Sequence, residues 1–593
     1  MKIGGDNPIE TGDEDALLRR PSAKRFAEQL GRLDVTHGSV VAVLGPWGSG
    51  KTSFINLVRE ELMKDPSSAI LEFNPWMFSG SDQLVQSFFT ELAAQMNTRD
   101  ANLKKVGALF ATYGDLLTPA GELPWVGAFI KTGTAAISAA KKVYDKRRGG
   151  VLNERKVIET ELRKLKKPVL VVIDDIDRLN IDEIRDIFRL VRLTGSFPNI
   201  VYLLAFDRAR VEQALDEDRV KGRDYLEKIV QIGVDLPSIP KQQLITVLTK
   251  SLDETLLEVE SAGPLNSGRW SDILAEIIAP LLRHVRDVRR YVSAVDGAVR
   301  SLGGQIALED VLALEAIRVF RPDIFGQIAH LRAPLTEISS RYGERERDFH
   351  KAAIEQLLKS ADADAPIVRA LIERVFEAAK RYVSGPSYGI DSQRTWMRKR
   401  RVAHPDILDL YLEQVANDAV QAFDCAEGLI QVLRDEDQAK EYYNDLPLEN
   451  REEIIKALEY YEGEYPVAGV TIGVALLMSD IGNLPDRPRE MFDFGARMAV
   501  DRVVLRMLRQ LPDADTIEKT VETVLPLLGS LSSQADLITL VGYREDAGHK
   551  LISEAKFHLI QDQMYARVRA ATPEALAQEW GGHGASKVRE IPL

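Results

Sequence analysis

Short runs of consecutive apolar residues alternate with helical patterns from residue 39 to about residue 236. The runs are SVVAVLG, SAILEFNPW, PVLVVIDD, NIVYLLAFD and VQIGVDLP, and four of them are apolar enough to be buried on both faces. Runs of this kind, separated by amphipathic helices, are typical of a parallel sheet with crossover helices. The pattern therefore predicts an α/β core with a doubly wound parallel sheet.

The strand pattern stops after LPSIP, and the rest of the chain consists of amphipathic helical patterns such as VLALEAIRVF at residues 311–320. Between the second and third apolar runs lies an insert, at about residues 98–152, whose composition indicates a helical excursion at the edge of the sheet. We therefore expect the α/β core to be followed by predominantly α-helical lid and C-terminal domains.

Length and charge restrict the class of protein. The chain of 593 residues is too long for one hydrophobic core, and 45% hydrophobic with 28% charged residues excludes a disordered, collagenous or disulfide-scaffold protein. A net charge of −13 opposes nonspecific binding to nucleic acid or to anionic membranes, although a local basic groove is compatible with it. The single cysteine, Cys425, allows no intrachain disulfide and fits a reducing cytoplasm.

No segment reads as a membrane span or a secretory signal. The N-terminus is acidic and lacks an apolar core. The best candidate span, residues 123–140, carries Lys131 near its centre and is diluted by Gly, Ser and Thr. We therefore expect a cytoplasmic protein without membrane contact.

The stretch VVAVLGPWGSGKTSF contains the spacing Gly45-x-x-x-x-Gly50-Lys51-Thr52 between a buried strand and a helix, which is the context that a P-loop requires. Glycines let successive backbone N–H groups point at phosphate oxygens, and the helix dipole adds to the attraction. Lys51 is expected to contact the β- and γ-phosphates, and the Thr52 hydroxyl is expected to bind Mg²⁺. The other loop residues expected at the nucleotide are Trp47, Gly48, Ser49 and Ser53.

The stretch PVLVVIDDIDRL places Asp174 at the carboxyl end of a strand, where α/β sheets bind their ligands. Mg²⁺ prefers oxygen ligands and normally takes a carboxylate from a neighbouring strand, so Asp174 is the predicted metal ligand. Asp175 is assigned to positioning or polarising the attacking water. Many efficient P-loop ATPases have Glu here, and Asp is one methylene shorter, so we expect slow or regulated turnover.

Further candidates follow the next strand and lie on a later helix. Asp207 is expected at the same sheet edge, where a polar side chain can sense the γ-phosphate. Arg208 or Arg178 can stabilise transition-state charge, within the chain or across a subunit interface, and a surface ion pair is the alternative for each. In RHVRDVRRYVSAV, Arg286 and Arg290 share a helix face, which can be a sensor on a mobile lid or a solvated basic surface.

Segments in the same order resemble the KAP family of P-loop NTPases, a branch related to the STAND and AAA+ classes. They are NPIETGDEDALLRRPSAKRFAEQL, VLGPWGSGKTSFINLV, FNPWMFSG, VLVVIDDIDRL, VYLLAFDRARV, YLEKIVQIGVDLP, RHVRDVRRYV and KRRVAHPDILDLYL. The resemblance extends from about residue 6 to 412. It implies ATP or GTP as the ligand, and it makes Arg286 the better sensor candidate. We expect ATP more than GTP, bound together with Mg²⁺. The resemblance assigns the motif roles to Gly45, Gly50, Lys51, Thr52, Asp174 and Asp175.

The resemblance also bears on organisation and partners. Many members carry transmembrane helices between the P-loop and the Walker B strand, whereas the insert here is too polar to span, which suggests a soluble member. Soluble bacterial relatives often act as ATPase components of multigene defence systems against phage or plasmids. We expect a homo-oligomer, protein partners from the same operon, or both; nucleic acid is possible but not indicated. The predicted domains are the P-loop core at 1–240, a lid with sensor-like arginines at 241–305, a helical domain shared with the family at 306–425 and a recognition domain at 426–593.

Three functions stay open on the sequence. The first is a slow ATPase that moves its helical domains, and the second is a scaffold whose assembly is gated by nucleotide binding. The third, a nucleic-acid motor or clamp, draws on basic runs such as WMRKRR at 396–401, for which an acid-paired helix face is the alternative. Trp47 either covers the nucleotide or docks a neighbour, and Trp76 and Phe78 suit strand-end packing better than ligand binding.

Overall fold

The computed structural model describes residues 7–78, 84–99, 101–117, 153–216, 221–338, 344–484, 495–543 and 548–572. The chain divides into two compact units. The first comprises Met1–Thr255 with Leu282–Ser293, and the second Leu256–Leu281 with Ala294–Leu593. The finer division into four domains stays a prediction.

In its described residues the first unit contains five parallel strands: β1 (Ser39–Leu44), β2 (Ala69–Phe73), β3 (Val169–Ile173), β4 (Ile200–Phe206) and β5 (Ile232–Asp235). Their order in the sheet is β2-β3-β4-β1-β5. Every residue of β1, β3 and β4 is buried, whereas the edge strand β5 alternates between half-buried and exposed positions. The doubly wound parallel sheet predicted from the apolar runs is confirmed.

Helices cover both faces of this sheet, because successive side chains of a strand point to opposite faces. Val41 and Val43 of β1 pack with the helices Arg20–Leu30 and Lys51–Leu62 in one apolar cluster. Val40 and Ala42 belong to a second cluster on the other face. The remaining helices of the first unit are Leu84–Asn97, Ala101–Leu117, residues 153–162, Ile181–Thr194, Arg208–Leu215 and Gly222–Glu227, and Lys241–Leu256 and Val285–Leu302 continue into the second unit.

The lateral order of the strands corrects one expectation. Asp174 was expected on a strand next to the P-loop strand, but β4 lies between β1 and β3. All three strands run parallel, so their carboxyl ends still meet at one edge of the sheet. The carboxylate therefore approaches the P-loop from two strands away.

The predicted insert begins with the helix Ala101–Leu117, which packs on Leu84–Asn97 through aromatic contacts such as Phe89 with Phe110. The rest of the insert, with the candidate span at 123–140, lies outside the described residues. In the part of the chain that the structure describes, no helix has the length and apolar character needed to cross a membrane.

The second unit is helical throughout its described residues. Its helices are Ser267–Ile273, Ala279–Leu281, Leu308–Phe320, Pro322–His330, Arg332–Thr336, Glu344–Ser360, Ala365–Arg374, Ile390–Arg398, Pro405–Glu413, Asp418–Val432, Glu436–Asp445, Arg451–Leu458, Val470–Asp480, Ala496–Arg509, Ala514–Val524, Leu531–Val541 and Glu554–Ala570. A single π-helical turn, Leu274–Ile278, follows the first of them.

The basic run WMRKRR lies in this unit, and several of its side chains have acidic partners. The indole of Trp396 is buried, and its Nε1 donates a hydrogen bond to Glu377. Arg401 forms ion pairs with Asp310 and Glu377. Arg400 pairs with two further carboxylates, those of Asp424 and Glu427. The cations are thus paired with acids, as the alternative predicted, but Arg400 and Arg401 follow the end of the helix Ile390–Arg398 and do not form an exposed helix face.

Candidate phosphate-binding site

A cavity of about 450 Å³ opens at the carboxyl ends of the strands in the first unit. Four segments line it: parts of residues 7–19, the loop and helix start at 47–57, residues 174–178 and the beginning of the helix Val285–Leu302. The predicted site residues that it brings together are Trp47, Gly48, Ser49, Gly50, Lys51, Thr52, Ser53, Asp174, Asp175 and Arg286.

Two glycines shape the loop that enters this cavity. Gly48 and Gly50 have φ angles of +81° and +85°, in the left-handed region that side chains with a Cβ rarely adopt. A Cβ on Gly48 would also lie only 2.9 Å from Cδ2 of His284. Gly50 is followed at once by the helix Lys51–Leu62, whose positive N-terminal end therefore lies at the cavity.

Lys51 is held inside the protein by an acidic partner. Its Nζ donates hydrogen bonds to the backbone oxygen of Gly45, at 3.1 Å, and to Oδ2 of Asp177, at 2.9 Å. Lys51 is 8% exposed and Asp177 is 3% exposed, so the ion pair is almost dry. The same Asp177 oxygen accepts from the backbone N–H of Asp207 at 3.1 Å. A phosphate that binds Lys51 must compete with Asp177.

Thr52 and Asp174, the predicted metal ligands, are in contact. The Thr52 hydroxyl lies close enough to the Asp174 carboxylate to lower its pKa, and the backbone N–H of Asp175 donates a hydrogen bond to Asp174 Oδ1 at 2.7 Å. Removal from water raises the pKa of the Asp174 carboxyl, and the charge of Asp175 raises it further, against the opposing effect of the Thr52 hydroxyl. A hydroxyl and a carboxylate side by side are the hard oxygen donors that suit Mg²⁺.

This donor pair is small, as magnesium sites usually are. Within the described residues, no group of three or more His, Cys, Asp or Glu side chains is arranged to hold a metal ion. Mg²⁺ typically binds one or two protein oxygens and takes its remaining ligands from water and substrate phosphates. The residues present therefore fit a magnesium ion that arrives with a nucleotide.

Asp175 is held on both carboxylate oxygens. Its Oδ1 forms an ion pair with Nε of Arg178 at 2.8 Å, and its Oδ2 accepts a hydrogen bond from Nδ2 of Asn74 at 3.1 Å. Its backbone is left-handed, with φ of +58°, and it precedes the short 3₁₀ turn Ile176–Arg178. A non-glycine residue in this region is under strain, which persists only where neighbouring contacts fix it.

Two tryptophans flank the arginine that binds Asp175. Cζ of Arg178 lies 5.1 Å from the ring centroid of Trp76 and 5.5 Å from that of Trp47. Cζ of Arg286 lies 5.9 Å from the Trp47 ring. Each distance is within the range of a cation–π interaction. Trp47 lines the cavity and is 48% exposed, and Trp76 is 51% exposed, so both rings are also open to solvent. We call Trp47, Trp76 and Arg178 the tryptophan clamp.

The N-terminal lead supports the loop from outside. Nη1 of Arg19 donates to the backbone oxygen of Ser49 at 2.6 Å, and the backbone N–H of Ile9 donates to Oγ of Ser53 at 3.3 Å. Oγ of Ser49 is buried and has no hydrogen-bond partner among the described residues. The loop thus carries a spare buried hydroxyl beside the backbone groups that bind phosphate.

The structure does not bring the Asp207 side chain to this cavity. Its Oδ1 accepts from the backbone N–H groups of Ala209 and Arg210, which caps the helix Arg208–Leu215, and it lines a different cavity. An Asp directly before a helix is a strong N-cap, and this local interaction orients the carboxylate. The sensing role of Asp207 stays a prediction.

Sequence reasoning missed several residues of the site. Asp177, Asn74 and Arg19 were given no role, although all three contact the loop or its catalytic candidates. Asp177 carried a signal, since it is the third aspartate of IDDIDR, three residues after Asp174. Asn74 and Arg19 come from segments far away in the sequence.

The sequence is similar to a known family and to a known protein. The model of the KAP family P-loop domain matches residues 19–302. The phage T7 exclusion protein of Escherichia coli K12 is 25% identical over 400 residues, which cover 61% of this chain and 53% of that protein. The chain therefore spans about half the length of that curated relative.

Solved structures with similarity include the ORC2 protein of Aeropyrum pernix, at 14% identity over 71% of this chain and 97% of that chain, with a TM-score of 0.31. Cdc6p of Pyrobaculum aerophilum is also 14% identical, over 64% of this chain and 87% of that chain, with a TM-score of 0.31. The similarity to the KAP family P-loop domain thus extends over residues 19–302, slightly less than half of the chain.

Proposed function

We propose that this chain is a Mg²⁺-dependent ATPase that turns over slowly and couples its nucleotide state to movement of helical domains and to assembly. The observation that carries the proposal is the meeting of Lys51, Thr52, Asp174 and Asp175 around one cavity beside a left-handed glycine loop. The match to a nucleotide-binding family supports it. We take ATP as the nucleotide, and the family resemblance is compatible with ATP or GTP.

Each group of residues in the cavity has a separate role in the proposed hydrolysis of ATP. Backbone N–H groups of the loop and the N-terminus of the helix Lys51–Leu62 bind the phosphates, and Lys51 exchanges Asp177 for the β- and γ-phosphate oxygens. Thr52 and Asp174 would hold Mg²⁺, which supplies neutralisation of phosphate charge when bound. Asp175 orients a water whose oxygen forms a bond to the γ-phosphorus while the bond to the bridging oxygen breaks. The products are ADP and inorganic phosphate.

The contacts of Asp175 support slow turnover. Both of its carboxylate oxygens are already engaged, one by Arg178 and one by Asn74. A water must share or displace one of these donors before Asp175 can orient it. Because the side chain is also one methylene shorter than glutamate, productive geometry requires a local rearrangement.

Replacing Asp175 by asparagine tests the proposal. We expect ATP binding to persist and turnover to fall by about a hundredfold to ten-thousandfold, because the water loses the carboxylate that orients it. After incubation with ATP and Mg²⁺ and rapid gel filtration, the nucleotide bound to Asp175→Asn should be ATP, whereas the unchanged protein should carry ADP. The matched control is Asp182→Asn, which replaces an exposed aspartate in the first turn of the following helix and should behave like the unchanged protein.

The same samples distinguish the proposed ATPase from a nucleotide-gated assembly scaffold. EDTA-sensitive release of phosphate by the unchanged protein supports the ATPase, and its absence refutes it. If Asp175→Asn assembles with ATP as the unchanged protein does, nucleotide binding alone drives assembly, which favours a nucleotide-gated scaffold. Assembly is measured by light scattering with and without ATP.

We also propose that the chain acts in phage exclusion together with partners from its own operon. The similarity to a phage T7 exclusion protein over 61% of this chain supports this role. Expressed with its neighbouring genes in a phage-sensitive host, the chain should reduce plaque formation by T7. Asp175→Asn should lose this protection and Asp182→Asn should keep it. Equal plaque counts with and without the unchanged chain contradict the proposal.

A further inference from the structure

The tryptophan clamp joins three separate segments of the first unit. Trp47 belongs to the P-loop, Trp76 follows β2, and Arg178 ends the turn after β3. Arg178 is the common member, since both indole rings lie within 5.5 Å of its Cζ atom. The same guanidinium uses its Nε to bind Asp175 at 2.8 Å.

These contacts restrict what Arg178 does. A free arginine side chain samples many rotamers, but two cation–π contacts and one ion pair act on this guanidinium together. The side-chain exposure of Arg178 is 31%, so the clamp also removes much of it from water. Its Nε is committed to Asp175, the residue assigned to the attacking water.

We propose that Arg178 is a positioning residue for Asp175, and that Trp47 and Trp76 act by holding Arg178. This inference rests on the proposed ATPase function. Because Trp47 lies inside the P-loop, a change in the loop on nucleotide binding reaches Asp175 through Arg178. The clamp thereby links occupation of the phosphate site to the orientation of the water-positioning carboxylate.

The experiment compares Arg178→Ala, Trp76→Ala, Trp76→Phe and the double variant Arg178→Ala/Trp76→Ala. Arg178→Ala should lower kcat about tenfold to a hundredfold, because misplacement of a positioned group by about 1 Å costs that much. KM, and the ratio of the ATP and ADP dissociation constants measured with fluorescent analogues, should change less than twofold. Trp76→Ala should lower kcat in the same direction, and Trp76→Phe, which keeps an aromatic ring, should restore most of it.

The double variant is the sharpest comparison. If Trp76 acts only by holding Arg178, its removal costs nothing further once Arg178 is absent, so the double variant should match Arg178→Ala. Arg189→Ala removes an exposed arginine that pairs with Asp186 and should leave kcat unchanged. Circular dichroism of each variant verifies that the fold is retained.

Three results would overturn the inference. The first is an Arg178→Ala kcat equal to that of Arg189→Ala. The second is a selective loss of ATP affinity relative to ADP, which would mean direct contact of Arg178 with the γ-phosphate. The third is a further fall of kcat in the double variant. Absence of hydrolysis by the unchanged protein refutes the ATPase and this inference together, whereas normal hydrolysis with any of these three results refutes this inference alone.

Discussion

Replacing Lys51 by alanine will abolish measurable ATP turnover and will also lower the free energy of unfolding of the first unit by about 3–5 kcal/mol. The first effect follows from loss of the ammonium that binds the β- and γ-phosphates. The second follows from the ion pair with Asp177, whose partners are 8% and 3% exposed. Removing one partner leaves the other charge buried and uncompensated.

The two effects can be separated within the same pair. The double variant Lys51→Ala/Asp177→Asn removes both charges, so it should recover most of the lost stability and still fail to hydrolyse ATP. Stability of the first unit is measured as hydrogen-exchange protection of the helix Lys51–Leu62. Lys64→Ala, which removes an exposed partner of Glu61 just after this helix, should cost about 1 kcal/mol or less.

A different experimental result would contradict each part of this prediction. If Lys51→Ala is as stable as Lys64→Ala, the buried pair contributes little to the folded state. If Lys51→Ala hydrolyses ATP at the rate of the unchanged protein, the loop is not the phosphate site. If the double variant regains turnover together with stability, the loss in the single variant came from unfolding and not from chemistry.

The fold could be predicted where the signal is local. Residues 39–62 contain a buried apolar run, the glycine spacing of a P-loop and the start of a helix. These neighbouring features together specify one strand–loop–helix segment. The lateral order of strands is not local, because an apolar run encodes burial and not the identity of its neighbour. The insertion of β4 between β1 and β3 therefore had no signal in the sequence.

The site shows the same limit at the level of single residues. Thr52 and Asp174 could be paired from two motifs whose context is well defined. The hydrogen bond from Asn74 to Asp175 joins residues 101 positions apart, and neither segment carries a sequence pattern that predicts this contact. Asp207 follows a buried strand as expected, but a helix begins at the next residue, and the cap interaction determines where its carboxylate lies.

Charge runs carry even less information on their partners. The run WMRKRR has the composition of a nucleic-acid contact, yet Arg400 and Arg401 face carboxylates from distant segments of the second unit. The sequence shows the sign of the charges, whereas the fold decides which of them are buried. The energetic consequence is largest at Arg401.

Replacing Arg401 by alanine will lower the free energy of unfolding of the second unit by about 3–5 kcal/mol. Arg401 is 4% exposed, and its Nε lies 2.6 Å from Oδ2 of Asp310, which is fully buried. Burial lowers the pKa of the guanidinium, but Asp310 and Glu377 raise it by more, so Arg401 stays charged. Without it, Asp310 keeps hydrogen bonds from the backbone N–H of Val402 and, at 3.4 Å, from Nη2 of Arg269, but loses its closest buried cation.

The measurement is hydrogen exchange of the helix Leu308–Phe320, which carries Asp310. A loss of 3–5 kcal/mol corresponds to exchange about two to four powers of ten faster, since each 1.4 kcal/mol is about tenfold. Arg394→Ala is the matched control: its pair with Glu462, at 2.7 Å, is partly solvated and should contribute about 1 kcal/mol or less. Equal exchange in the two variants would show that the buried network stabilises the unit no more than a surface pair does. Partial recovery in Arg401→Ala/Asp310→Asn would instead identify the uncompensated Asp310 charge as the cause.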